Sequence, residues 1–287
     1  MSKKASIHTQ SLKIPKIIVL TSKLISFISP KLVTLFAAKL FTTPIKHKIP
    51  KRELEMDRKS VQKLTFIPAI NKEVVLYQYG ESKKKILLVH GWSGRGTQLF
   101  KIADELQKAG YSTISFDAPA HGKSPGKMTI MTDFIATILE IDKQQGPFEA
   151  AIGHSLGGMS VLNSIKAGFK LKHAVVIGSG DIVQDILDDF VAKLELKPNI
   201  STLLRLHFEK KYNEEMNNYS AYLAAAKTNI PVLVIHDHND PEVPVKAGIH
   251  IHKYLRNGEL MLTQGLGHRK ILGHNAVIEN IIQFIST

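Results

Sequence analysis

The sequence of 287 residues predicts an α/β fold, a mainly parallel sheet with helices on both faces. Three observations predict it. From about residue 60 onward, apolar runs of strand length alternate with helical patterns. The run within residues 84–92 is continuously apolar, as strands buried on both faces are. Another run passes straight into a helical segment through a serine set between glycines.

The first 52 residues stand apart. They hold 11 Lys and Arg and no Asp or Glu, whereas residues 53–287 hold 27 basic and 25 acidic residues. The excess charge of +13 is therefore mostly an N-terminal property, and the near-neutral body argues against a nucleic-acid-binding domain. Residues 24–41 are rich in Leu, Ile and Phe, with Val33, Phe36 and Leu40 at helical spacing and Pro30 suited to a first turn. One or two basic, apolar-rich helices are expected over residues 1–60. They either pack on the body or lie on an anionic membrane surface, and the first course is favoured because helical apolar stripes are usually core. An acid-free start also fits an organelle-targeting peptide, but Lys in place of Arg weighs against that.

The body follows in order. Strands are predicted over 73–80, 84–92, 111–119, 148–155, 173–180, 231–237 and 259–265. Helices are predicted over 97–109, over 129–145, from Leu156 onward, and over 270–286, where Val277, Ile278, Ile281, Ile282 and Ile285 share a side. Gly110 and Gly146 end two of them. About fifty residues, 181–229, separate two strands that a dozen could connect. They carry helical patterns at Val183, Ile186, Leu187, Phe190, Val191 and Leu194 and again from Leu203 to Met216, so they read as a helical insertion over the carboxyl ends of the strands. The core is assigned to residues 61–180 and 230–287.

The chemistry concentrates at strand ends. Gly153-His154-Ser155-Leu156-Gly157 fits G-x-S-x-G at a strand-to-helix junction, where a sharp turn projects the serine hydroxyl above the sheet. A serine needs a base, and the base an orienting acid. Asp240 follows the strand PVLVIHD, and His268 follows the next strand. The chain order Ser155, Asp240, His268 is the one this architecture uses. Asp237 is the competing acid, ranked lower because it still lies at the strand end. The amides of Leu156, at a helix N-terminus, and Trp92, just past the strand ending at Val89, are the candidate oxyanion donors. Trp92, the only tryptophan, either lines the pocket or caps the core, and His90 reads as a histidine that holds its loop.

With HGWSGRG (90–96), FDAPAHGKS (116–124), GHSLGG (153–158), HDHNDPEVP (236–244) and GLGHR (265–269) in this order, the sequence resembles the α/β-hydrolase superfamily over roughly residues 60–287. It is similar to the bacterial serine esterase and lipase branch with a helical cap. The resemblance implies the α/β-hydrolase fold and hydrolysis of carboxylic esters through an acyl-enzyme. Ser155 would be the nucleophile, His268 base then acid, Asp240 the orienter, and the Trp92 and Leu156 amides the oxyanion hole. Serine at the nucleophile position sets aside relatives that use aspartate there. HGWSG departs from the HGGG of the hormone-sensitive-lipase-like branch. Thioesterase, peptidase and acyltransferase chemistry share the same triad, and a non-catalytic, membrane-peripheral binding protein is the remaining alternative.

Other signals are weaker. Gly122-Lys123-Ser124 lacks the preceding glycine and following helix of a phosphate loop, and Gly94-Arg95-Gly96 lacks the third glycine of a dinucleotide loop. His236 and His238 share a strand face but read as flanking the triad acid, not a metal. No cofactor, no metal and no nucleic-acid partner is expected, only a small ester or acyl substrate, with contact between residues 1–52 and an anionic membrane as the alternative to packing on the body. Without cysteine there is no disulfide or thiolate chemistry, and a reducing compartment is permitted. No apolar run reaches the length of a membrane span, and no clean cleavage site follows one, so a cytoplasmic chain is the expectation, with peripheral membrane association as the alternative.

Overall fold

The computed structural model of the chain describes residues 14–287. Residues 1–13, where the acid-free extension begins, lie outside the described residues. Eight strands form one sheet in the order β1-β2-β4-β3-β5-β6-β7-β8. They are β1 (Val61–Ile67), β2 (Lys72–Tyr79), β3 (Lys85–Val89), β4 (Ser112–Asp117), β5 (Ala150–His154), β6 (His173–Ile177), β7 (Val232–Asp237) and β8 (Gly258–Thr263). β1 with β2, and β2 with β4, are antiparallel, and the remaining pairs are parallel. This is the α/β-hydrolase fold.

The strand period of two divides the core. In β3, Leu87 and Val89 point to one face with Phe134, Ile138 and Leu162, while Ile86 and Leu88 point to the other with Ile102, Leu106, Ile278 and Ile281. The first face carries α5 (Met131–Gln145) and α6 (Leu156–Lys166), and the second carries α4 (Phe100–Lys108) and α12 (Asn275–Ile285). Every residue of β4, β5 and β7 is buried; β5 and β7 accordingly read as mainly apolar runs, whereas β4 buries Ser112, Thr113, Ser115 and Asp117 along with its apolar residues. β1 escaped prediction for the converse reason. It is an edge strand with only Thr65 and Ile67 buried, and its sequence shows neither a continuous run nor a clean alternation.

Between β6 and β7 the chain forms α7 (Val183–Lys193), α8 (Asn199–Tyr212) and the short α9 (Ala221–Ala225). Before the sheet come α1 (Lys16–Ile28), α2 (Pro30–Phe41) and α3 (Leu54–Lys59). Ser29 caps α2 by accepting from Leu32 N–H at 3.4 Å, and Pro30 takes the first helical position, where its missing N–H costs nothing. Val33 and Ala37 of α2 are fully buried, and Phe41 meets Phe190 of α7 edge to face at 5.1 Å. The N-terminal helices thus pack on the helices between β6 and β7. The C-terminal helix expected over 270–286 is interrupted. α11 (Gly267–Lys270) passes into a tight turn ending at Gly273, His274 is extended, and α12 starts at Asn275. A further helix, α10 (Lys246–Tyr254), follows β7. Among the described residues no helix is long and apolar enough to cross a membrane.

Candidate active site

β3 and β5 are neighbours at the centre of the sheet, with β4 beyond one and β6 beyond the other. The strand order reverses there, so the loops after β3 and β5 part and leave a crevice at their carboxyl ends. Ser155 stands at the end of β5 with φ 55° and ψ −121°, a left-handed conformation unfavourable for a residue with a side chain. Its N–H donates to Ile177 O at 2.9 Å, tying the turn to β6. The turn closes only because its neighbours lack Cβ atoms. A side chain at 157 would run into the Val89 and His90 carbonyl oxygens, and one at 153 into the Gly157 carbonyl. Ser155 is half-buried and opens into a cavity.

His268 is buried at the start of α11. Its Nδ1–H donates to Asp240 Oδ2 at 2.7 Å. Asp240 Oδ1 accepts from Glu242 N–H at 2.8 Å and Val243 N–H at 2.9 Å. Burial alone would raise the Asp240 pKa. The hydrogen bond and charge of His268, with the two backbone N–H groups, outweigh burial and hold the carboxyl below its usual value. With Nδ1 carrying the proton, Nε2 is left with its lone pair. The Ser155 hydroxyl makes no hydrogen bond to it among the described residues, and contacts of this kind tighten when a substrate seats.

Asp237 does not compete for the imidazole. It accepts from Asn239 N–H at 2.9 Å, Thr263 Oγ1 at 2.7 Å and Leu266 N–H at 3.0 Å, so it joins the ends of β7 and β8 to the loop that carries His268. Burial opposes its ionisation, but these donors prevail and keep it below the ordinary carboxylate range.

The loop after β3 is fixed by two histidines. His90 is buried, donates from Nδ1 to Gly91 O at 2.6 Å and accepts Ala118 N–H on Nε2 at 3.0 Å. His121 accepts Ser93 N–H at 3.0 Å. Burial holds His90 far below the usual imidazole range and His121 down at about 4, so both are neutral and can serve as acceptors. Trp92 lines the cavity with its ring edge-on to His121 at 5.3 Å. Neither Trp92 N–H nor Leu156 N–H meets an acceptor among the described residues. Asp117 knots this loop to the next, accepting Gly96 N–H, Lys123 N–H and Tyr77 OH. Lys123 and Ser124, the residues that mimic a phosphate loop, are consumed in that knot, since Ser124 Oγ donates to Asp117 O at 2.6 Å.

Three functional contacts carried no sequence signal of their own. His154, beside the serine, is buried and neutral, and its Nε2–H donates to the His268 carbonyl at 2.9 Å, with the two rings 4.5 Å apart. Buried Glu53 accepts Arg95 Nε at 2.6 Å and Thr97 Oγ1 at 2.8 Å, anchoring the Trp92 loop to the N-terminal region. Glu242 Oε2 lies 3.9 Å from His268 Nε2, and Arg269 Nε is 3.2 Å from its other oxygen. His236 is spent on Val243 O at 3.0 Å.

The cavity measures about 1330 Å³, above the roughly 300–1,000 Å³ of common small-molecule sites. Its walls are mainly apolar, with Met159 below, Ile186, Phe190 and Phe208 from α7 and α8, and Ile18 and Phe41 from the N-terminal helices.

The described geometry has counterparts among solved structures. A bromoperoxidase from Bacillus anthracis shares 19% identity at a TM-score of 0.62, covering 79% of this chain and 100% of that one. An esterase from Exiguobacterium antarcticum shares 15% identity at 0.63, covering 79% and 100%. The Pyrococcus furiosus esterase PF2001 shares 16% identity at 0.65, covering 85% and 97%. At these identities the likeness is one of fold. No curated protein sequence matches the chain. The model of the alpha/beta hydrolase family matches residues 86–269, from β3 to the residue after His268, and the chain belongs to that family.

Proposed function

We propose that the chain is a serine hydrolase that cleaves carboxylic esters through an acyl-enzyme, with Ser155, His268 and Asp240 as its triad. The observation that carries the reading is the 2.7 Å bond from His268 Nδ1 to Asp240, because it fixes the tautomer that leaves Nε2 free to take a proton. In this reading Ser155 Oγ attacks the ester carbonyl and gives its proton to His268 Nε2. The carbonyl oxygen becomes an oxyanion that accepts from the Trp92 and Leu156 amides, helped by the α6 dipole. His268 then returns the proton to the departing alcohol as the tetrahedral species collapses to acyl-Ser155. Water, deprotonated by the same nitrogen, releases the acid. Asp240 stays ionised and stabilises the imidazolium.

The apolar, oversized cavity favours an extended acyl group over a small polar one. In a panel of p-nitrophenyl esters, turnover is expected to rise from acetyl toward medium or long acyl chains. Ser155→Ala is expected to lower kcat by at least 10³-fold, the scale of losing a triad nucleophile. Wild-type protein that hydrolyses no ester of any acyl length would refute this reading.

A further inference from the structure

The helix α1 has two apolar faces. One faces inward, where Ile18 lines the cavity and Ile25 packs on the core. The other carries Ile17, Leu20, Leu24, Phe27 and Ile28, at i, i+3, i+7, i+10 and i+11, within about 100° of the helix circumference. All five are exposed, Leu24 at 67% and Phe27 at 90%, and Leu32 and Leu35 of the following helix α2 are exposed as well. A contiguous apolar stripe of this extent is not left in water without a partner.

The surroundings choose among partners. Residues 14–52 carry eight Lys and Arg and no Asp or Glu. Lys16, Lys31 and Lys39 are exposed on the same two helices, and Lys23 pairs with Glu195 of the body. An apolar stripe on helices whose own charged residues are all lysines matches an anionic bilayer surface, where lysines meet headgroups and Leu and Phe enter the acyl boundary. A second copy of this chain would bring its own lysines against these.

The inner face supplies the link to chemistry. The same helix that would rest on lipid forms a wall of the cavity into which Ser155 opens. Just past α2, Ile45 N–H donates to Ser93 Oγ at 3.0 Å, next to the Trp92 amide. We propose that the outer face of α1 and α2 docks on an anionic lipid bilayer, and that the substrate is a long-chain acyl ester drawn from that bilayer into the cavity. The docking half stands by itself, and the substrate half rests on the ester-hydrolase reading above.

The test uses the full chain, vesicles of phosphatidylcholine with or without 30% phosphatidylglycerol, and the double substitution Leu24→Ser, Phe27→Ser. Both side chains are exposed and neither lines the cavity, so folding, checked by circular dichroism, and hydrolysis of soluble p-nitrophenyl butyrate are expected to be unchanged. Wild type is expected to sediment with phosphatidylglycerol vesicles at least tenfold more than with phosphatidylcholine alone, and less in 0.5 M salt. The variant is expected to lose at least tenfold in sedimentation and in hydrolysis of a long-chain acyl ester carried in the vesicles. Equal sedimentation of wild type with both vesicle types overturns the proposal, as does undiminished sedimentation of the variant. A wild-type dimer that the variant dissolves assigns the stripe to a second copy and also overturns it. Wild type that sediments as expected yet hydrolyses neither ester upholds docking, and it refutes both the hydrolase reading and the substrate half.

Discussion

Asp237 and Asp240 are three residues apart, and their partners separate their roles. Asp240 faces His268 Nδ1, whereas Asp237 accepts Thr263 Oγ1 and the Leu266 and Asn239 amides. In Asp240→Asn, the amide N–H₂ facing Nδ1 moves the imidazole proton to Nε2, which then cannot accept from serine. We expect kcat to fall by about 10³- to 10⁴-fold with KM little changed. Asp237→Asn keeps an acceptor oxygen in the loop and is expected to lower the melting temperature while keeping kcat of the folded enzyme within about tenfold. Steady-state kinetics of both variants check this, and equal losses of kcat would count against the assignment. The sequence showed both acids at a strand end and preferred Asp240 by position alone. His154 could not be found that way, because its value lies in a bond to the carbonyl of a residue 114 positions later. Glu53 and Arg95, 42 positions apart, are hidden for the same reason.

At the scale of elements, legibility followed burial. β5 and β7, buried along their whole length, read as mainly apolar runs, whereas β1 at the sheet edge did not. The helical spacing of Val33 and Phe36 located α2, but periodicity gives a helix its apolar side without naming what that side meets. α2 turns Val33 and Ala37 onto the body, while α1 keeps a second apolar stripe outside. Of the two courses open to this region, packing is seen on the inner faces, and lying on a membrane is the course proposed for the outer stripe. If α2 is part of the cooperative fold, Val33→Ala should cost about 2 kcal/mol, the scale of losing two buried methyl groups and leaving a cavity. Urea denaturation measures it. A change below about 0.3 kcal/mol would mean that α2 unfolds separately from the sheet.

In the proposed reading, the whole molecule is a frame that brings three groups from distant parts of the chain to one site. The sheet reverses its strand order between β3 and β5, placing the Trp92 loop and Ser155 side by side, and the ends of β7 and β8 bring Asp240 and His268 beside them. α7 and α8 of the long β6–β7 connection, together with α1 and α2, line an apolar chamber. Reaction of the wild-type protein with a fluorophosphonate, followed by peptide mass spectrometry, tests the central claim most directly, since it asks whether this frame makes one hydroxyl more nucleophilic than every other. The account predicts a single stoichiometric adduct on Ser155 that His268→Ala abolishes. An unlabelled protein, or label spread over other serines with Ser155 unmodified, would contradict it.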